Sequence, residues 1–248
     1  MQIAIISDMH GNCMALDAAL ADLRRQAIDQ VVCLGDAVQG GPQPAQVVAR
    51  LRELGCPVVM GNADAWLLTG QETDGESSSP ERRAMLDAVR EWSLSQLSLA
   101  DRAFIAAFQP TVSVEAAAGQ RLLCFHGSPA SFDDVILPST PEAEFQRLLG
   151  GQAASIFTGG HTHLQWRRRL GDGFYFNPGS IGLAYNHEQD DSGFRAAAWA
   201  EYAVLTVEAG RLGLEFRQVP FDAGALIQIY RSSGRPYAHD AVTQYRTA

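Results

Sequence analysis

Apolar runs that each stop at a short polar motif set the strongest limit on how this chain folds. Met1 to Ile6 is such a run, and Ser7-Asp8-Met9-His10-Gly11-Asn12 follows it. Val31 to Leu34 stops at Gly35-Asp36, and Pro57 to Met60 stops at Gly61-Asn62-Ala63-Asp64. Short apolar runs bounded by turn formers read as buried strands. Helical patterns come between them. Cys13 to Arg25 puts Leu16, Ala19, Leu20 and Leu23 on one face behind Asn12 as N-cap. Pro42 opens a helix to about Leu54, which Gly55 ends. Strand, polar tip and helix in alternation argue for a parallel sheet with helices on both faces.

Ligands of such sheets bind beyond the carboxyl ends of the strands. Asp8, His10, Asp36 and Asn62 therefore converge although they are far apart in sequence. Two later runs end the same way. Arg121 to Phe125 leads into His126-Gly127-Ser128-Pro129, and Ala154 to Phe157 leads into Gly159-Gly160-His161-Thr162-His163. Four of the six histidines thus stand at strand ends. One such residue reads as a solvated loop group. The series reads as a site. Imidazole, carboxylate and amide oxygen suit borderline divalent ions, and no thiolate in the set asks for a soft metal.

Composition excludes several classes. The chain has 248 residues, 46% of them hydrophobic, which suits one large domain spanning 1–248. Its net charge is −9 and its basic residues are all Arg, so no stable nucleic-acid partner and no basic membrane face are expected. Cys13, Cys33, Cys56 and Cys124 are scattered, with neither zinc-knuckle nor disulfide spacing. The N-terminus runs straight into a strand without a basic leader, and no stretch is long enough to span a membrane. A cytoplasmic protein with reduced thiols is the expectation.

The rest of the chain supports this frame. A helical insertion at about 65–110 contains a polar loop from Gln71 to Pro80 and helices Glu81 to Leu97 and Ala100 to Phe108. Ser98 and Asp101 have capping-box spacing. Trp66, Trp92, Phe104 and Phe108 read as core. Hairpins are expected around Gly119, around Gly171-Asp172-Gly173 and around Gly210, and a short helix after Thr140-Pro141. Arg167-Arg168-Arg169 reads as a solvated strand edge. The polar loop Gly182 to Ala198 contains Tyr185 and His187, candidate substrate contacts. Phe221 to Ser233 reads as a last helix, completing a C-terminal segment of 221–248 whose tail from Tyr237 is expected to be peripheral.

The series Asp-x-His, Gly-Asp, Gly-Asn, His, Gly-His-x-His resembles the calcineurin-like metallophosphoesterase superfamily. Gly127-Ser128-Pro129 and Asn177-Pro178-Gly179-Ser180 resemble its bacterial and archaeal phosphodiesterase branch, and the likeness runs from Met1 to about Val219. The resemblance implies an α/β fold (α+β by some schemes), a four-layer αββα sandwich on two mixed β-sheets. It implies two divalent metal ions, manganese first, with Fe, Ni, Co or Zn as the others. Asp8, His10 and His163 would hold one; Asn62, His126 and His161 the other; Asp36 would bridge. It implies in-line attack on a phosphate ester by a hydroxide shared between the ions, with Asp36, Asn62 and His126 as the catalytic set.

The chain departs from that pattern in three places. Ala63 stands where many members have a histidine that assists the leaving group. The loop after Ser180 lacks a Pro-Arg pair, and no acid follows three residues after Asp36. Loss of a general acid disfavours unactivated monoesters. A phosphodiesterase acting on a small phosphate ester or nucleotide is thus expected ahead of a phosphomonoesterase with the same site. A non-catalytic binding scaffold of the same fold is the reading from another class, and a homo-oligomer is left open. Asp64 either orients the neighbouring ligands or starts a helix. Ser7 and Ser128 read as loop hydroxyls rather than nucleophiles.

Overall fold

The computed structural model describes residues 1–71, 79–117, 120–186, 188–189, 194–208 and 211–245. In chain order the elements are β1 (Gln2–Ile6), α1 (Cys13–Leu23), β2 (Gln30–Cys33), α2 (Pro44–Leu54), α3 (Asn62–Thr69), α4 (Pro80–Ser95), α5 (Leu99–Ala106), β3 (Val112–Ala117) and β4 (Gln120–Cys124). Then come α6 (Glu142–Leu148), β5 (Ile156–Thr158), β6 (Gln165–Leu170), β7 (Gly173–Pro178), β8 (Trp199–Glu208), β9 (Arg211–Pro220), α7 (Ala223–Ser232) and α8 (Ala238–Thr243). One sheet has the order β2-β1-β8-β9 and the other β3-β4-β5-β7-β6. Both are mixed: β1 pairs β2 in parallel and β8 antiparallel, while β5 lies parallel to both β4 and β7 and the outer pairs β3–β4 and β6–β7 are antiparallel.

Alternation along each strand builds the layers. Ile3 and Ile5 of β1 face the second sheet, where they join Leu122, Cys124, Ile156 and Phe176. Ala4 and Ile6 point the other way, onto Leu16, Leu20, Val47 and Leu51 of α1 and α2. The second sheet divides likewise. Leu123 and Phe125 leave its inner face and pack with Phe145 and Leu148 of α6. A strand buried on both faces has to be apolar throughout, which is why these segments lack a polar alternation. Helix, sheet, sheet and helix are thus stacked as the resemblance implied, and the sheets are mixed rather than the all-parallel one that the strand–helix alternation suggested.

Several local expectations hold. Asn12 caps α1 by accepting from Ala15 N–H at 3.1 Å. Gly55 ends α2 in left-handed backbone at φ 61°. Ser98 and Asp101 form a reciprocal capping box on α5. The edge strand β6 leaves Arg167 and Arg169 exposed, while Arg168 pairs with Glu142 at 2.7 Å.

Others are corrected. Pro42 lies in the preceding turn, and Pro44 occupies the first turn of α2. The third strand, expected at Pro57 to Met60, shrinks to isolated parallel bridges, Cys33 with Val58 and Val59 with Gln109. Pro57 has no N–H to offer, and Met60 N–H turns to Gln109 C=O at 2.7 Å instead of to β2. The tail is not peripheral. α8 and the buried Tyr245 close a small core with Leu226 and Tyr230 of α7. The polar stretch 72–78, the turns at Gly119 and Gly210, and His187 lie outside the described residues. No helix among the described residues is long and apolar enough to cross a membrane.

One buried acid joins α1 to the first sheet. Asp22 accepts from the Tyr202 hydroxyl at 2.6 Å and from Arg217 at 2.8 Å, and it pairs with Arg25. Burial works to raise the Asp22 carboxyl, but these donors outweigh it and hold it down at about 2. A carboxyl depressed in the fold contributes stability above its ordinary value near 4 and loses it as pH falls towards 2. Asp22→Asn is expected to cost about 1.5–3 kcal/mol at pH 7. Thermal melts from pH 7 to pH 2 check this: the gap between the variant and the parent should narrow below pH 4.

Candidate metal centre

The seven residues singled out from the strand ends meet at one edge of the sandwich. Asp8 and His10 follow β1, Asp36 follows β2, and Asn62 is the first residue of α3. His126 follows β4, and His161 and His163 follow β5. Two groups of side chains come close enough to share an ion: Asp8 with His10 and His163, and Asp36 with His126 and His161. Asp36 lies between them. Its Oδ2 is 3.4 Å from His126 Nε2 and 3.7 Å from His10 Nε2. Asn62 Oδ1 is 3.0 Å from His126 Nε2.

The backbone that carries these side chains is unusual. Asp8, His10, Asp36, His161 and His163 have φ of 55°, 45°, 48°, 67° and 54°. Glycine tolerates that left-handed region, whereas other residues enter it at a cost, and such positions cluster at functional sites. Here it lets a strand end turn its side chain inward within one residue. Close backbone approach finishes the arrangement. A Cβ on Gly160 would run into Ser7 Oγ and Asp8, and one on Gly61 would run into Asp36.

Three of the four imidazoles are held from behind. His10 Nδ1 lies 3.1 Å from Gln39 C=O, His126 Nδ1 2.9 Å from Leu34 C=O, and His163 Nδ1 2.9 Å from Leu183 C=O. A carbonyl only accepts, so each of these Nδ1 atoms carries a proton and its Nε2 faces into the pocket. The result is a pocket lined by carboxylate oxygens and imidazole nitrogens. His10 Nε2 and His163 Nε2 face each other at 3.1 Å, and His163 Nε2 is 3.3 Å from Asp8 Oδ1. Asp8 Oδ1 is buried and has no hydrogen-bond partner. A buried carboxylate oxygen left so is costly unless a cation joins it. The residues therefore fit divalent ions, and nitrogen and oxygen donors of this mix fit the first-row series.

The electrostatics show which protons a cation would displace: against burial, His126 and His163 are both raised by the carboxylates beside them, Asp36 and Asp8. Burial opposes charge on Asp36, but the His126 and His10 imidazoles beside it hold the carboxyl well below the usual carboxylate range. Burial pushes His126 down, and the Asp36 carboxylate prevails and raises it to about 10. His10 and His161 are lowered by burial, which keeps them neutral and able to offer a lone pair.

Asp64 lies in the first turn of α3, and its carboxylate accepts from Ala37 and Val38 N–H at 3.1–3.2 Å, fixing the backbone just after Asp36. Burial and the Asp36 charge raise its carboxyl to about 7. Ala63 offers its N–H to Asp36 Oδ1 at 2.8 Å and has no side chain to give a proton. Ser128 is a loop hydroxyl that bonds Asp134 at 2.6 Å. Tyr185 stands with its ring 5.7 Å from that of His163.

Some supporting residues carried no signal of their own in the sequence. Ser180 Oγ donates to Asp8 C=O at 2.8 Å, and Asn177 Nδ2 to Gly160 C=O at 2.6 Å. Phe194 packs on Tyr185 with ring centroids 4.9 Å apart and is itself 41% exposed. Arg235 and Tyr245 reach the site from the C-terminal segment. The Asn-Pro-Gly-Ser motif pointed to the first two. Nothing local marks the other three.

The profile of the calcineurin-like phosphoesterase superfamily domain matches residues 1–209, and the chain belongs to that superfamily. An uncharacterized protein of Methanocaldococcus jannaschii is 42% identical over 72 residues, 29% of this chain and 30% of that relative, so the chain spans under a third of the curated protein it matches. Two solved structures share the fold. A metallophosphoesterase from Sphaerobacter thermophilus has a TM-score of 0.73 and 23% identity, with 98% of both chains covered. A hypothetical protein from Pyrococcus horikoshii OT3 has a TM-score of 0.78 and 20% identity, with 100% of this chain and 98% of that one covered.

Cations that join these buried carboxylates and imidazoles should stabilise the fold. Stripping divalent ions with a chelator is expected to lower the thermal midpoint. Mn²⁺ at a hundred times its dissociation constant should return about 2.7 kcal/mol, roughly 5–10 °C. A midpoint indifferent to both treatments would remove the metal reading.

Proposed function

We propose that the chain is a metal-dependent phosphodiesterase acting on small, nucleotide-sized phosphate esters. The carrying observation is the pair of side-chain groups with Asp36 between them and the imidazole Nε2 atoms turned inward. Asp8, His10 and His163 would hold one divalent ion, and Asn62, His126 and His161 the other. Asp36 would bridge. Manganese leads the assignment, with Fe, Co, Ni and Zn as alternatives. When bound, two such ions activate water and neutralise charge developing on the phosphoryl oxygens.

The chain's own residues do the rest. Carbonyls of Gln39, Leu34 and Leu183 keep the Nδ1 protons of His10, His126 and His163 in place, so these rings do not swing during a reaction. Asp64 and the Ala63 N–H fix Asp36 from both sides. Asn62 and His126 complete the catalytic set with Asp36, Asn62 Oδ1 lying 3.0 Å from His126 Nε2. With Ala63 in place of an acid, the leaving group has to depart without a side-chain proton. That favours diesters with stable leaving groups over unactivated monoesters. Tyr185 and Phe194 form an aromatic wall beside His163, suited to a planar substituent such as a nucleobase.

The four cysteines are unpaired, which fits a reducing cytoplasm. Residues 1–248 act as one domain in this reading, with α7 and α8 docked near Met14 of α1.

Hydrolysis of bis(p-nitrophenyl) phosphate and of p-nitrophenyl phosphate with added Mn²⁺ tests the proposal. The diester should have the higher kcat/KM. Asp36→Asn should abolish turnover and release at least one ion while the far-UV circular dichroism stays unchanged. No turnover with any divalent ion would leave a binding scaffold, and parental turnover in Asp36→Asn would remove its bridging role. Tyr185→Ala should raise KM for nucleotide diesters more than for methyl-substituted ones.

A further inference from the structure

Residues 210–248 fall outside the span matched by the family profile, yet they return to the site. Arg235 follows α7. Its Nε–H donates to Gly40 C=O at 2.6 Å and its Nη1 to Pro236 C=O at 2.8 Å, with the guanidinium 5.6 Å above the Tyr230 ring. Tyr245 follows α8, is 3% exposed, and donates its hydroxyl to Gly182 C=O at 2.9 Å. Each donor grips the residue next to one whose carbonyl holds an imidazole. Gln39, before Gly40, holds His10; Leu183, after Gly182, holds His163.

Both imidazoles belong to the group that contains Asp8. The other group is held differently. His126 Nδ1 is fixed by Leu34, at the end of β2, and Asp36 by Ala63. None of the bonds described for these two comes from α7, α8 or their flanks. Gly40 explains why an outside grip matters. At φ 118°, and with nothing closer than 3.8 Å to where a Cβ would be, it is a joint that no side chain stiffens. Arg235 makes no ion pair among the described residues, so its guanidinium is committed to carbonyls and to Tyr230. Tyr230 and Tyr245 in turn pack as tilted rings with centroids 6.3 Å apart, which ties the two grips into one unit.

We propose that the α7–α8 segment sets the cation affinity of the Asp8–His10–His163 group and leaves that of the Asp36 group untouched, Arg235 and Tyr245 being the positioning residues. This rests on the two-cation reading above. Outer partners of metal-binding histidines change metal affinity about 10–100-fold when removed. One layer further out, the lower end of that range is expected.

The test is Mn²⁺ titration by calorimetry on the full chain, comparing the parent with Arg235→Met, Tyr245→Phe, the double variant and Tyr230→Phe. The parent should bind two ions. The double variant should weaken one binding step by about tenfold and leave the other unchanged, and Tyr230→Phe should change neither. Tyr245→Phe removes one oxygen from a ring that stays packed, so it carries the same prediction at smaller size should the double variant fold poorly. Melting in excess chelator separates affinity from folding: the single variants should melt with the parent there. Equal weakening of both steps, or of neither, overturns the proposal. A parent that binds fewer than two ions overturns the two-cation reading instead.

Discussion

Left-handed backbone at five residues, just beyond the ends of three strands, is the constraint on which the rest of this structure turns. A side chain other than glycine enters that region at about 1–2 kcal/mol, and Asp8, His10, Asp36, His161 and His163 all do so. Among the described residues only Tyr237 shares the feature. The conformations persist because the neighbouring strands leave them little choice. Asp8 N–H reaches Gly35 C=O at 3.0 Å, His10 N–H reaches Asp36 C=O at 2.9 Å, and Gly11 N–H reaches Ala37 C=O at 2.9 Å. The first two strand tips therefore lace together immediately beyond β1 and β2. Strands buried on both faces cannot shift to relieve the strain without dragging Ile3, Ile5, Ala4 and Ile6 out of two cores at once.

Charge adds a second demand. Asp8, Asp36 and Asp64 are all buried. Backbone donors answer most of their oxygens: His161 N–H on Asp8 Oδ2, Ala63 N–H on Asp36 Oδ1, Ala37 and Val38 N–H on Asp64. Asp8 Oδ1, Asp36 Oδ2 and the inward Nε2 atoms remain. This division of labour, in which peptide groups orient and leave one set of acceptors over, is what separates a cation pocket from a buried salt bridge.

The sequence made much of this legible because strand ends announce themselves. An apolar run that ends in an acid, an asparagine or a histidine beside a glycine is local information, and five such ends outweigh the solvated-loop reading of any one. Caps were legible for the same reason: Asn12, Gly55 and Ser98 act within four residues of themselves. What escaped was long-range. The run from Pro57 to Met60 looks like a strand, but its partners are Cys33 and Gln109, and Pro57 can donate to neither. Phe194 meets Tyr185 across a loop, and Arg235 and Tyr245 act on carbonyls about 195 and 63 residues away. No periodicity reports such pairs, so the C-terminal tail read as peripheral.

The two sheets meet face to face, and each side-chain group draws on both. Asp8, His10 and Asp36 extend from β1 and β2 of the first sheet, while His126, His161 and His163 extend from β4 and β5 of the second. An ion held by either group is thus a clasp across the seam of the sandwich. Loading and unloading it would alter how far the two halves breathe at that rim, while the far ends of the same strands, locked by the apolar layer between the sheets, would not feel the difference.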